Sequence, residues 1–212
     1  MLWFPFILWP ILNKIVSFNT IYTNPKIINN FLSVIHSVGF VSINAIYILT
    51  KETNLLYTCI LFSASYFVWD GYYSFIKFDK PNYIWIIHHI GSLIILDHIY
   101  NLLEYTTYPL ILHCFTLAEV SNLPTYYIYH RLKTLELTNI TTYKIYQIIW
   151  FSYFRIWVFS NYIVDTFYLY GPFINCILYM FYFMGIYWTI GQIKGVYGDF
   201  KYNQHIIQKK NE

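Results

Sequence analysis

The chain has 212 residues, of which 58% are hydrophobic, 23% aromatic and only 11% charged. It is far more apolar than an average soluble domain, so the composition predicts an integral membrane protein. The formal net charge of +3 is too small, and the basic residues are too dispersed, for a nucleic-acid-binding surface. We therefore expect membrane lipids, and no nucleic acid, among its partners.

The first apolar segment, residues 2–18, is the weakest candidate for a membrane span. It contains Pro5, Pro10 and Asn13, and its apolar core is about ten residues long, whereas a helix needs about 20 to cross the hydrocarbon. No basic residue precedes it and no small-residue cleavage site follows it, which disfavours a cleaved signal peptide. We assign residues 1–30 to an anchor and linker, and the anchor either crosses the bilayer or lies re-entrant.

Six further windows carry almost no charge and are long enough, at about 1.5 Å per residue, to cross roughly 30 Å of hydrocarbon. They predict an all-α integral membrane protein, with a bundle of six transmembrane helices over residues 31–195 and a cytosolic C-terminal tail over 196–212. The predicted helices are 31–50, 55–76, 83–103, 108–129, 144–167 and 171–193.

Basic residues between these helices fall almost entirely on one side of the predicted bundle. Lys51 alone lies on the other side, and Arg155 lies within a span. The positive-inside rule makes the basic side cytosolic, which places the C-terminus in the cytosol. The residues on that side are Lys14, Lys26, Lys77, Lys80, Arg131, Lys133, Lys144, Lys194, Lys201, Lys209 and Lys210.

The last four residues, Lys209-Lys210-Asn211-Glu212, resemble the di-lysine signal that returns membrane proteins to the endoplasmic reticulum. Such a signal works only in the cytosol, where the charge asymmetry already places the tail. We therefore expect the protein in the endoplasmic reticulum membrane, and the alternative is a solvated charged end that carries no signal.

The three cysteines suggest neither a disulfide framework nor a metal site. Cys59, Cys114 and Cys176 lie inside predicted spans, where a thiol usually behaves as a small core residue. Their spacing matches no metal-binding pattern. We therefore expect no metal and no cofactor.

Ionisable side chains inside the predicted helices are costly, at about 2.5–3.5 kcal/mol each on insertion scales. If all of them faced lipid, the summed cost would exceed what a marginally stable domain can offset. We therefore expect most of them to face a shared interior. They are His36, Asp70, His88, His89, Asp97, His98, His113, Glu119, Arg155 and Asp165.

The adjacent histidines His88 and His89, in WIIHHIGS, are the leading candidates for chemistry. Neighbouring residues point about 100° apart on a helix, so both are satisfied only if protein or a cavity surrounds a broad arc. Glu119, on the next helix, is the natural partner for a histidine, because a carboxylate fixes the tautomer that general acid–base catalysis requires. We predict these three as catalytic, and the alternative is silent hydrogen bonding within a buried ion pair.

Arg155 and Asp70 are predicted to support that group. A guanidinium stays protonated in proteins, so Arg155 is interpreted as an internal counter-ion for Glu119 or Asp70, or alternatively as a binder of a lipid phosphate. Asp70 either pairs with Arg155 or caps the cavity, and a purely structural role is the alternative.

Three further residues complete the set of supporting candidates. His113 and Asn122 lie with Glu119 on a slanting stripe at three-residue steps. His36 is a single histidine on an apolar helix, a pattern more typical of a satisfied core residue, and its neighbour Ser37 is the expected partner.

Five segments on successive predicted helices resemble, in order and spacing, the TLC domain family, which includes the ceramide synthases and smaller TLC-domain-containing proteins. The resemblance covers most of residues 30–195. It implies six helices around a central cavity open to the membrane, with His88 and His89 at the positions of the family's paired histidines. The segments are SVIHSVGFVSINAIYIL, ASYFVWDGYYSF, HHIGSLI, LAEVSNLPTYY and SYFRIW.

The resemblance to ceramide synthases implies transfer of an acyl group from acyl-CoA to the amine of a long-chain base. His88 or His89 would then act as the base or carry the acyl group. The synthases have two aspartates three residues apart where this chain has Glu119 and Asn122, and an asparagine cannot take up a proton.

The segment AEVSNLP is also similar to a Glu-x-Ser element of the small TLC-domain proteins, which have proposed roles in membrane lipid composition. We therefore expect a protein of lipid metabolism, either a sphingosine N-acyltransferase that uses acyl-CoA or a non-catalytic lipid-binding regulator of membrane composition. Association into a homo-oligomer stays open.

Overall fold

The computed structural model describes residues 4–18, 24–77, 83–102, 110–167 and 169–211, with their side chains from residue 6 to residue 201 except that of Phe167. These residues form helices and contain no β-strand, as predicted. The helices are α1 Phe4–Phe18, α2 Pro25–Thr50, α3 Thr53–Lys77, α4 Tyr83–Leu102, α5 Leu110–Lys133, α6 Ile140–Ser152, a π-helical turn Tyr153–Val158, α7 Phe159–Phe167 and α8 Pro172–Asn211.

Helix α2 begins earlier than the charge-free window predicted, and its N-terminal cap explains why. The Asn24 side chain accepts a hydrogen bond from the Lys26 backbone N–H at 2.9 Å. Pro25 occupies the first helical position, where a backbone N–H would make no intrahelical hydrogen bond, so its absence from proline costs nothing. The helix ends at Lys51, whose φ of 59° is left-handed.

Helix α8 runs without interruption from Pro172 to Asn211, through the predicted start of the tail at residue 196. The side chains of Lys209 and Lys210, and all of Glu212, lie outside the described residues. The expected di-lysine signal therefore stays a prediction from sequence.

The single helix predicted over residues 144–167 is divided in the structure. It starts at Ile140 and is interrupted by the π-helical turn Tyr153–Val158 before α7 continues. A π turn inserts an extra residue into a helix and is frequent at functional sites. The inserted turn carries Arg155, which is buried.

The helices after α1 pack into a closed ring. Going around it, α3 follows α2, then come α4, α8, the α6–α7 segment and α5, which contacts α2 again. Helix α1 packs outside the ring on α2 and α3, where the fully buried Trp9 donates from its indole nitrogen to Ser65 Oγ at 2.9 Å. Phenylalanine rings fill much of the ring interior, including Phe40, Phe67 and Phe115.

Two of the described helices, Pro25–Thr50 and Pro172–Lys201, are long and apolar enough to cross a membrane by length and composition. Segment Phe6–Phe18 is apolar but shorter. The expectation of helices is thus confirmed, and membrane-spanning character is supported in two of the six predicted spans.

Candidate functional site

Helix α2 presents a stripe of polar side chains to the ring interior. Asn29, Ser33, His36, Ser37 and Asn44 recur at intervals that keep them on one helix face. Each is buried or half-buried. Sequence reasoning named only His36 and its neighbour Ser37, although the spacing of small polar residues in an apolar helix is a readable signal.

His89 and Asp70 form one buried pair. His89 Nε2 lies 2.5 Å from Asp70 Oδ2, and Asn29 Nδ2 donates to Asp70 Oδ1 at 2.6 Å. The pair therefore links α2, α3 and α4. The expectation that Glu119 orients His88 or His89 is not met at His89, whose carboxylate partner comes from α3 rather than α5.

Glu119 instead lies with His36 in a second buried group. The Ser37 hydroxyl donates to Glu119 Oε2, and His36 Nδ1 is 3.6 Å from the same oxygen. The opposite ring nitrogen of His36 is 2.8 Å from Ser63 Oγ, and the ring stacks on Tyr66 with centroids 4.0 Å apart. Ser63, and not the expected Ser37, is therefore the hydrogen-bond partner of His36 Nε2, while His36 Nδ1 has no hydrogen-bond partner among the described residues.

His88 faces a cavity in the ring interior, away from Asp70. The cavity has room for about one water molecule. Within the described part of the chain, His88 Nδ1 has no hydrogen-bond partner. Its ring lies edge-on to Phe181 and Trp188, with centroids 5.1 and 5.7 Å away. The other polar residues in the cavity wall are Ser92, Cys114, Glu119 and Arg155.

Arg155 is 2% exposed and lines the same cavity. Its Nε donates to Ser121 Oγ at 2.9 Å, and its guanidinium carbon lies 5.7 Å from the Phe151 ring centre and 6.0 Å from that of Trp188. Among the described residues, no carboxylate oxygen lies within 4.0 Å of its nitrogens. The expected direct ion pairs with Glu119 or Asp70 are therefore not formed.

The remaining predicted residues lie outside the cavity wall. Asn122 is half-buried, and His113 stacks on Tyr162 with ring centroids 5.6 Å apart. Asp97 and Asp165 are exposed, so these two members of the ionisable set do not face the shared interior. Across the described ranges, no three histidine, cysteine or acidic residues are arranged to hold a metal ion.

Comparison with protein-family models, curated proteins and solved structures finds no match for this chain. The chemistry that the site can perform therefore has to follow from its geometry. The cavity combines an imidazole nitrogen that lacks a partner, a carboxylate and a guanidinium. Such a set can accept a proton and stabilise the charges that follow.

Proposed function

We propose that this chain is a multi-pass membrane protein of the TLC domain family that transfers a fatty acyl group from acyl-CoA to the amine of a sphingoid base. The observation that carries the proposal is the position of His88 on the interior cavity beside Glu119 and Arg155. His88 and Glu119 occupy positions at which the resemblance to the ceramide synthases implies catalytic groups.

The distribution of polar and apolar side chains supports six membrane-spanning segments. The polar residues that make α3, α4 and α5 less apolar include Asp70, His88, His89 and Glu119, and all four are buried in the ring. A side chain that faces protein does not meet lipid. Large apolar residues such as Ile87 lie on the outside, where the bilayer would cover them.

The arrangement of helix ends supports a cytosolic C-terminus. Lys144, at the start of α6, is 2.7 Å from Asp199 of α8, so these two segments share one end of the ring. Arg131 and Lys133 lie at the end of α5 that precedes α6. The basic residues thus collect at one end, which the positive-inside rule assigns to the cytosol. With the di-lysine tail, this favours the endoplasmic reticulum membrane.

In the proposed reaction, the amine nitrogen of the sphingoid base attacks the thioester carbonyl carbon, the carbon–sulfur bond breaks and the CoA thiolate leaves. His88 takes the proton that the amine loses, or first carries the acyl group on its own ring. His89, held by Asp70, fixes the neighbouring turn of α4 and so acts as a positioning residue. Asn122 lies off the cavity wall, so the missing second carboxylate removes no charge from the cavity.

The second candidate function is non-catalytic lipid binding that regulates membrane composition. A space for about one water molecule holds no acyl chain unless the helices move apart, and this applies to both functions. Asn122 favours the non-catalytic one, because it stands where the resemblance to the ceramide synthases implies an aspartate and cannot take up a proton. The two functions differ in whether His88 matters for turnover.

The test is acyl-CoA-dependent ceramide formation by microsomes from synthase-deficient cells that express the chain. We expect activity for the wild type, and a loss of about 10²-fold or more for His88→Ala, because a general base typically contributes that much. The matched control is His98→Ala, on the same helix but outside the cavity wall, which should keep wild-type activity. Absence of activity from the wild type at equal expression, across acyl lengths, would favour the lipid-binding function.

A further inference from the structure

We propose that Arg155 is the subsite that binds the carbonyl oxygen of the fatty acyl group. The inference rests on the proposed function in that it names where the acyl substrate binds in the same cavity. Within it, Arg155 is a catalytic residue rather than a counter-ion.

The hydrogen-bonding inventory of Arg155 leaves donors for a ligand. A guanidinium has five N–H groups, and Ser121 takes the one on Nε. The rings of Phe151 and Trp188 lie near the guanidinium. A buried cation without a close carboxylate is costly, and an ionisable group at membrane depth usually marks a site of function.

The local fold holds Arg155 in the cavity wall from two sides. The π-helical turn Tyr153–Val158 sets its backbone, and such turns are frequent at functional sites. Gly185 of α8 packs against it, since an added Cβ there would lie 3.4 Å from Arg155 Cβ. The guanidinium is therefore supported before any ligand arrives.

Arg155 and His88 are close enough to act on one small group. Both line a cavity of about the size of a water molecule. Trp188 lies beside both, 5.7 Å from the His88 ring and 6.0 Å from the guanidinium carbon. Because both side chains line this one small space, a carbonyl group that occupied it would meet both.

The apolar part of the cavity wall matches the other half of an acyl group. Phe67, Phe115 and Phe181 line it, so once the helices have moved apart to admit the chain, methylene groups would contact rings while the oxygen contacts the cation. No phosphate-sized set of donors accompanies Arg155 in this wall, whose other polar residues are His88, Ser92, Cys114 and Glu119. The chemistry therefore favours one acyl oxygen over a phosphate.

The role in the reaction follows from where charge develops. When the amine nitrogen bonds to the carbonyl carbon, the carbonyl π electrons move to oxygen, and they return as the carbon–sulfur bond breaks and the thiolate leaves. The proton of the amine goes to His88. Donors aimed at that oxygen stabilise the negative charge at the moment it forms.

The first arm of the test measures palmitate binding to the full chain in lipid nanodiscs, by displacement of a fluorescent fatty acid. We expect Arg155→Met to weaken palmitate binding about tenfold or more, because charged hydrogen bonds are lost, and to leave hexadecanol binding within about twofold. Arg155→Lys should fall between, and it keeps the charge if the methionine variant folds poorly. Arg131→Met, in the last turn of α5 and outside the cavity wall, is the matched control and should bind palmitate like the wild type.

The second arm measures kcat and KM for palmitoyl-CoA. We expect Arg155→Met to lower kcat by about 10²-fold or more and to change KM little, as for other donors to a developing oxyanion. If Arg155→Met only impaired folding, there would be less active protein, and palmitate binding and hexadecanol binding would fall to the same extent.

The outcomes separate this inference from the proposed function. If palmitate binding depends on Arg155 but the wild type has no transferase activity, the subsite stands and the enzyme proposal fails. If transfer depends on His88 while Arg155→Met keeps wild-type kcat and palmitate affinity, the subsite is overturned and the enzyme proposal stands. A loss of phosphatidic acid binding with palmitate binding intact, or no palmitate binding by the wild type, also overturns it.

Discussion

Buried polar residues in this chain occur in paired groups that join neighbouring helices. Asp70 holds His89 and Asn29, and Glu119 holds Ser37 beside His36. Sequence reasoning found the ionisable members, because an ionisable residue in an apolar helix must face an interior. It did not find the pairing, which depends on how each helix is rotated and which helix is its neighbour.

Replacement of Asp70 tests the first of these groups. Asp70→Asn keeps the size of the side chain but removes the carboxylate from His89, so we expect a loss of about 1–3 kcal/mol in the free energy of unfolding. Denaturant unfolding in detergent micelles measures it. Asp165→Asn, at an exposed position, is the control and should change stability by less than about 0.5 kcal/mol; equal effects at both positions would refute the pairing.

Removal of the Ser63 hydroxyl tests the second group. Ser63 is fully buried and is the hydrogen-bond partner of His36 Nε2. Ser63→Ala should destabilise the protein by about 1–3 kcal/mol, because a buried ring nitrogen loses its partner. The control is Ser17→Ala, exposed on α1. A thermal unfolding series in which the two variants are indistinguishable would count against the contact.

At the scale of elements, charge-free windows located every helix but not its ends or its irregularities. The capping pair Asn24-Pro25 starts α2 before the apolar window does. Nothing in the segment Tyr153–Val158 distinguishes a π turn from an α turn by composition. That turn packs against α5 and α8, and a local sequence pattern does not contain such long-range contacts.

The contact between α4 and α8 offers a test at this scale. Gly91 faces α8 so closely that an added Cβ would lie 3.0 Å from Phe181 and from Met180. Gly91→Ala should therefore cost about 1–3 kcal/mol through overpacking. It should also move Phe181 against His88 and lower the proposed transferase activity.

A second helical glycine provides the matched control for Gly91. An added Cβ at Gly195 would meet nothing within 4 Å, and alanine is favoured over glycine in a helix by up to about 1 kcal/mol. Gly195→Ala should therefore raise stability slightly while Gly91→Ala lowers it. The same sign for both variants in chemical denaturation would contradict the close packing of α4 on α8.

At the scale of the whole molecule, the described helices after α1 form a ring that buries polar groups among phenylalanine rings and exposes other large apolar side chains on its outside. The sequence predicted that the ionisable side chains face the interior of the bundle, because these groups are costly in lipid. The order of helices around the ring was not predicted, and α8 comes to lie between α4 and the α6–α7 segment. That order is set by long-range packing, which leaves no periodic signal in the chain.

The measurement that tests the account most directly is the sidedness of two turns in sealed microsomes. Glu52, between α2 and α3, and Leu137, between α5 and α6, are both exposed and fall on opposite sides of a six-span bundle. Single cysteines at these positions, with the exposed Cys176 changed to serine, are treated with a membrane-impermeant maleimide. We predict that Leu137→Cys is labelled in intact vesicles and Glu52→Cys only after permeabilisation; labelling of both in intact vesicles would contradict the six-span bundle on which the proposed site depends.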